Sequence, residues 1–355
     1  MSAPARRPRR RVWFVAAPLL VIAVLLVADT LLWRWGAQEL QSGFAAWEAA
    51  ERAEGYTVTT GPARTGGWPF AAELSVSDLS LRGPLGDLPV DAAWTAAAVQ
   101  LRITLLHSRT LSVAVLGDQH LRIVDGIDIP FTADSERLTI PLQPGAPANS
   151  AALEVARLRA AGALTGLTIA QLHADTRLRP AALQGEPAVG LNATAIGIAL
   201  PQPPNLTWPL GPTIAIMSLD AALTGPMPRT RVLIDRATGW RDGGGTLEVQ
   251  HATLQWGPLD LSGSATLALD DHLQPMGAAT AKIRGYIATL DGLAGAHIIP
   301  PQAAMAAKAV LGLMSHTPDG GPPEVEMPLT LQNRSLSVGR IPLARIPEFS
   351  WPDAP

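Results

Sequence analysis

Residues 259–270 read LDLSGSATLALD. Leu259, Leu261, Gly263, Ala265, Leu267 and Leu269 share one parity, and Asp260, Ser262, Ser264, Thr266 and Asp270 hold the other. Side chains alternate between the faces of a strand. The stretch is therefore a strand with one apolar and one wet face, the pattern of antiparallel sheets with one side covered and one solvated. The reading extends outward in both directions. Leu101, Ile103 and Leu105 alternate in the same way, as do Leu111, Val113 and Val115, then Leu121 and Ile123. Near the end, Val325, Met327, Leu329 and Leu331 form a long strand that Gln332–Ser335 turns back into Leu336 and Val338.

Two stretches break parity. Leu74 and Val76 are followed by Leu79 and Leu81, and Leu247 and Val249 by Leu254 and Trp256. A strand that changes parity yet keeps its apolar side inward needs an extra residue, so each predicts a bulge, the first near Ser77-Asp78. Both then reach Gly-Pro-Leu, at 83–85 and 257–259. This is either chance in an Ala/Leu/Gly-rich chain or the trace of two related β-units, 56–205 and 206–355. Pro/Gly-rich interruptions at 141–151 and 200–212 mark candidate boundaries. Ala151–Ala160 fits a short helix or a strand. Gly243-Gly244-Gly245 reads as a flexible hairpin connection. Residues 302–314, alanine-rich and entered through Pro300-Pro301, predict a helix packed on the sheet.

At the other end of the chain, Val12–Ala28 carries no charge, and the apolar stretch continues to Trp33. That length matches a bilayer core of about 20 residues. Val12, Trp13, Leu19, Leu20, Leu25, Leu26 and Trp33 are the expected anchor residues, with tryptophans at both interfaces. Arg6, Arg7, Arg9, Arg10 and Arg11 precede the span, which places residues 1–11 in the cytoplasm and the body outside. A cleaved signal peptide is the alternative. The run is longer than the usual apolar region of a signal peptide, and no clean small-x-small site follows it. Residues 34–55 predict a helix continuing out of the membrane, with Leu40, Phe44 and Trp47 on one face. That face can lie on the membrane surface or pack on the body, and the mainly acidic opposite face favours the body.

Composition narrows the function. The 355 residues carry a net charge of −3. Without the five arginines, 22 basic residues face 30 acidic ones, a net −8 that argues against nucleic acid. Cysteine is absent, so there are no disulfides, thiolate metal sites or cysteine nucleophiles. The seven histidines form neither H-x-H nor H-E-x-x-H. Asp125-Gly126-Ile127-Asp128 is too short for a calcium loop. No nucleophile elbow or phosphate loop is present. The expectation is a protein without catalysis, cofactor or metal. Its expected partners are the lipid bilayer through its helix, and lipids or envelope proteins through its body.

The segment Gly66-Gly67-Trp68-Pro69-Phe70, after an anchor and a juxtamembrane helix, resembles the uncharacterised bacterial family known as domain of unknown function 2125. So does VEMPLTLQNRSLSVGRIPLARIPEF at 325–349, with Asn333, Gly339, Pro342 and Leu343 at the pattern's fixed positions. The family usually has Asn-Gly in the turn, whereas Arg334 follows Asn333 here. Gly245–Gly285 and the final hairpin are also similar to AsmA-like envelope proteins. These resemblances, with the anchor, imply a single-pass protein of the bacterial inner membrane with a periplasmic β-sheet groove working in lipid or amphiphile traffic. An envelope scaffold or protein-interaction module with no lipid ligand is the alternative. They carry over no catalytic residue. The fold expected from all of this is mainly β with a few helices: a transmembrane helix, then a large, curved, mostly antiparallel sheet shaped as a groove or open barrel.

Overall fold

The computed structural model describes residues 10–84, 91–104, 108–123, 127–143, 146, 148–203, 207–228, 230, 232–317, 322–349 and 351. The chain begins with one helix, α1 (Arg10–Ala53), 44 residues and about 66 Å long. Short β1 (Thr57–Thr59) and β2 (Ala63–Gly66) lead into long antiparallel strands. These are β3 (Ala71–Pro84), β4 (Asp91–Thr104), β5 (Thr110–Ile123), β6 (Ile127–Thr132), β7 (Ser135–Pro141), β8 (Ser150–Ala160), β9 (Thr168–Leu178), β10 (Pro187–Ala199) and β11 (Thr213–Thr224). Helix α2 (Leu233–Asp242) precedes β12 (Leu247–Trp256), β13 (Leu259–Leu269) and β14 (Pro275–Arg284). Helices α3 (Tyr286–Gly295) and α4 (Pro301–Met314) precede β15 (Glu324–Gln332), β16 (Ser335–Val338) and β17 (Ile341–Arg345).

All seventeen strands belong to one sheet, and every pairing is antiparallel. From β3 onward each strand pairs with the next in sequence; β6 and β7 share one position between β5 and β8. The meander continues through β9, β10 and β11 to β17, and β1 and β2 both pair with β3. The 200–212 connection thus joins β10 and β11, two strands paired along their length. Residues 150–160, open between helix and strand in the sequence, form β8.

Of the two expected bulges, the one in β12 is present; in β3 the alternation breaks at Asp78 while the register with β4 stays unshifted, so the two strands kink together. Asp78 sits at φ 50°, and Leu74, Val76 and Leu79, of opposite parity, are all buried on the same side. The neighbouring strands yield at the same level: Gly117 of β5 has φ 81°, and a Cβ there would lie 3.0 Å from the Cβ of Ala97. The arrangement recurs further along the sheet, where Arg157 (φ 49°) and Gly197 (φ 64°) flank Ala170. In β12 the register with both neighbours shifts between Val249 and His251 or Ala252. The β12 bulge bends its strand and increases its twist, and the aligned kinks at Asp78 and at Arg157 break the alternation of neighbouring strands together.

The main core lies where α1 crosses the start of the sheet. Ala37 and Leu40 are buried against Val58, Ala72, Leu74, Val76, Val99 and Leu101, with Trp33, Phe44 and Trp47 packed around them. Gly36 allows the close approach: a Cβ there would lie 3.1 Å from that of Ala72. The helix is therefore continuous from the apolar stretch into the 34–55 segment, whose Leu40, Phe44 and Trp47 face the body as expected. Two helices were not foreseen. The Gly243–Gly245 segment ends α2 rather than forming a plain hairpin, and α3 stands between β14 and α4. Helix α4 starts with Pro301 in its first turn, buries Ala304, and packs mainly on α3.

Candidate functional site

Directly opposed residues of an antiparallel pair share a face. Followed through the register, one row runs Leu74, Leu101, Val113, Leu138, Leu153, Ala174, Ala193, Leu219, Ala252, Gly263, Ala281 and Met327. It crosses twelve strands without a polar side chain. At about 4.8 Å per strand this lane is roughly 50 Å long. A second row lies beside it: Glu136, Val155, Leu172, Ala195, Met217, Leu254, Leu261, Ile283 and Val325. The opposite face carries the counterpart: Arg137, Glu154, His173, Thr194, Ser218, Thr253, Ser262, Lys282 and Glu326.

The lane contains two hollows. One, about 620 Å³, lies between α1 and the sheet; Leu40, Phe44 and Trp47 line one side, and residues from Leu79 to Leu153 the other. The second, about 550 Å³, is lined from Leu172 on β9 to Ala281 on β14. Six consecutive strands of one sheet enclose a hollow only if that face is concave. Small residues make the room: Ala193, Ala195, Ala252, Gly263, Ala265, Ala279 and Ala281. Met217, in the second row, is 48% exposed. Burying a methylene stabilises by about 0.8 kcal/mol, so such a surface favours an apolar occupant over water.

Glu136 is the one charged residue in these two rows. Its carboxylate accepts a hydrogen bond from Gln119 Nε2 at 2.7 Å, and Gln119 Oε1 accepts one from Trp94 Nε1 at 3.0 Å. Gln119 is only 2% exposed. The sequence reading passed over this chain, although the parity Glu136–Leu138–Ile140 in SERLTIP marks a carboxylate in an apolar register.

The expected site residues fall in three places. Arg6, Arg7 and Arg9 lie outside the described residues, and Arg10, Arg11, Val12 and Trp13 are described only as backbone of α1. Leu19, Leu20, Leu25 and Leu26 are exposed on α1, 60%, 67%, 62% and 48% respectively. Among the described residues, one helix is thus long and apolar enough to cross a membrane. Trp33, at the end of this stretch, donates its indole N–H to the carbonyl of Gly66 at 2.9 Å. That bond ties the Gly66–Phe70 segment to the top of the apolar helix. Gly67 has φ 86°, a conformation glycine adopts freely. Trp68 (52%) and Phe70 (79%) are exposed there. At the far end, Asn333 (φ 51°) and Arg334 (φ 62°) form a two-residue hairpin turn that is left-handed at both positions, the geometry that Asn-Gly satisfies with less strain. Gly339 (φ 57°) turns the next hairpin, and Pro342 and Leu343 lie on the edge strand β17.

Two of the histidines lie on the face opposite the lane, and His107 lies outside the described residues. His173 pairs with Asp175 at 2.7 Å and His251 bonds Thr253 at 3.0 Å, on the polar face. Among the described residues, no three His, Cys, Asp or Glu side chains are grouped to hold a metal.

A family model described as "Uncharacterized protein conserved in bacteria (DUF2125)" matches residues 33–347. The chain belongs to the DUF2125 family. The match spans the sheet from its first strand to its last and begins at Trp33, so both the Gly66–Phe70 segment and the Asn333–Leu343 hairpins fall inside it. No curated protein and no solved structure matches the chain. The likeness of Gly245–Gly285 to AsmA-like proteins therefore has no counterpart in these comparisons. The family description names no activity, so the DUF2125 sheet has to be read from its own chemistry.

Proposed function

We propose that this DUF2125 protein is a non-catalytic carrier of amphiphiles. In this reading α1 anchors it in the bacterial inner membrane, with residues 1–11 in the cytoplasm and the sheet in the periplasm, where its lane holds acyl chains during envelope biogenesis. The observation that carries the proposal is the unbroken apolar row from Leu74 to Met327 on a concave face. A sheet built only to support a core would have that row covered along its length, whereas α2 and α3 pack chiefly on β13 and α4 on β15. The lane starts beside α1, a few residues beyond the apolar stretch, so a chain leaving the outer leaflet meets apolar surface at once. The five arginines support the orientation. Exposed Trp68 and Phe70, tied to Trp33 through Gly66, fit an interfacial position.

The test is native mass spectrometry of the full-length protein released from neutral detergent. Bound phospholipid or other acyl species is expected. Ala265→Phe, which fills the second hollow, is expected to lower that occupancy severalfold while leaving the fold intact. A chain that carries no amphiphile under any condition would sink the proposal. A scaffold role is the second reading. The apolar edge of the α3–α4 pair supports it, with Leu313 90% and Met305 71% exposed. Stoichiometric protein partners co-purifying without lipid would favour it.

A further inference from the structure

We infer that the hollow beneath α1 is a headgroup site for an amphiphile bearing an ammonium group. This deepens the carrier reading and rests on it. The hollow is lined by apolar side chains and by Glu39 and Glu136; among the described residues no Lys, Arg or His lines it. Glu136 has no ion-pair partner among the described residues. Its bonding is one-directional: Trp94 N–H donates to Gln119, and Gln119 N–H donates to Glu136. The Gln119 N–H meets the Glu136 carboxylate and the Trp94 N–H holds the Gln119 amide in that orientation, which leaves carboxylate lone pairs for a further donor. Such a charge on an apolar face is costly unless a cation completes it. Phe44, Trp47 and Trp94 bring three aromatic rings to the same hollow, and aromatic rings with a carboxylate are the usual recognition set for alkylammonium groups.

The layout also orients the ligand. Ala72, Ile103, Leu111 and Ile140 form the row at the level of Gly36, nearest the apolar stretch of α1. Glu136 lies four residues from Ile140 along β7, about 13 Å away. An ammonium at Glu136 would leave its acyl chain running back over Leu138 and Ile140 toward the membrane end, or sideways along the lane.

The test compares chain-matched lysophosphatidylethanolamine and lysophosphatidylglycerol, with dodecyltrimethylammonium as a bare ammonium probe. Binding to the full-length protein in neutral detergent is read by tryptophan fluorescence and native mass spectrometry. The ethanolamine lipid is expected to bind at least tenfold more tightly than the glycerol lipid. Dodecyltrimethylammonium binding would assign recognition to the ammonium alone; its failure beside a binding ethanolamine lipid would assign it to the primary amine. Glu136→Gln, which can still accept from Gln119, is expected to abolish the preference and leave glycerol-lipid binding unchanged. Glu39→Gln is expected to weaken it less, since Glu39 is exposed. Equal binding of the two lipids, or a preference that survives Glu136→Gln, overturns the site while leaving the acyl lane standing. Absence of binding by all three probes overturns both.

Discussion

At the scale of single residues, the fold depends on backbone positions that sequence periodicity marks only as irregularities. Asp78 announced itself by a parity change, because apolar residues on both sides of it had to stay inside. Arg157, at φ 49°, gave no such signal: the same turn of the chain is made in β8 by a residue whose neighbours are not strongly patterned. Its side chain is held to Asp134, as is that of Arg159. The bond from Arg159, then that from Arg157, holds the Asp134 carboxyl below the usual carboxylate range. A carboxyl with a lowered folded value adds stability above its unfolded value and loses it as pH falls through the folded one. Asp134→Asn should therefore melt below the natural chain at neutral pH, and the gap should close below about pH 4. Melting temperatures of the two proteins between pH 7 and pH 3 check this; a constant gap would remove Asp134 as a clamp of the β8 kink at Arg157. Glu136, two residues further on, was legible only as a carboxylate at an apolar parity. What it faces depends on α1, about a hundred residues earlier.

At the scale of elements, strands with strict alternation were legible and helices between them were not. β13 and β15 read directly from the sequence, since each has one face of leucine, alanine or methionine. α3 and α2 are short and weakly two-faced; Thr289 and Ala237 are among their few buried residues, so no apolar stripe announced them. The long helix was legible in both halves, but its seating on β3 rests on Gly36 and Ala72, two small residues that carry no pattern. The segment between β2 and β3 is the element most exposed to test. Because the chain has no cysteine, single labels are clean. An environment-sensitive label at Phe70→Cys, in full-length protein in vesicles, should emit as if in the lipid interface and be shielded at least threefold from iodide. The same label at Gln202→Cys, at the opposite ends of the strands, should behave as in water. If both sites quench alike, the segment does not touch the bilayer.

At the scale of the whole molecule, the two faces of the sheet carry the argument. The polar row from Arg137 to Glu326 and the apolar row from Leu74 to Met327 lie back to back from β7 to β15, and the hollow spanning β9 to β14 marks the apolar side as concave. That two-faced pattern was legible strand by strand. The continuity of the lane was not, because it depends on register, and a shift of one residue would send every side chain to the other face. The small residues Ala193, Ala252, Gly263 and Ala281 looked like compositional background in the sequence; in register they form the floor of a hollow. The most direct test of the lane places a photo-crosslinking benzoylphenylalanine at Met217 in the apolar row and, separately, at Ser218 on the polar face, in cells. Irradiation followed by mass spectrometry of the purified chain should find acyl lipid attached at position 217 and little at 218. Equal capture at the two positions, or none at 217, would contradict the claim that this face carries lipid.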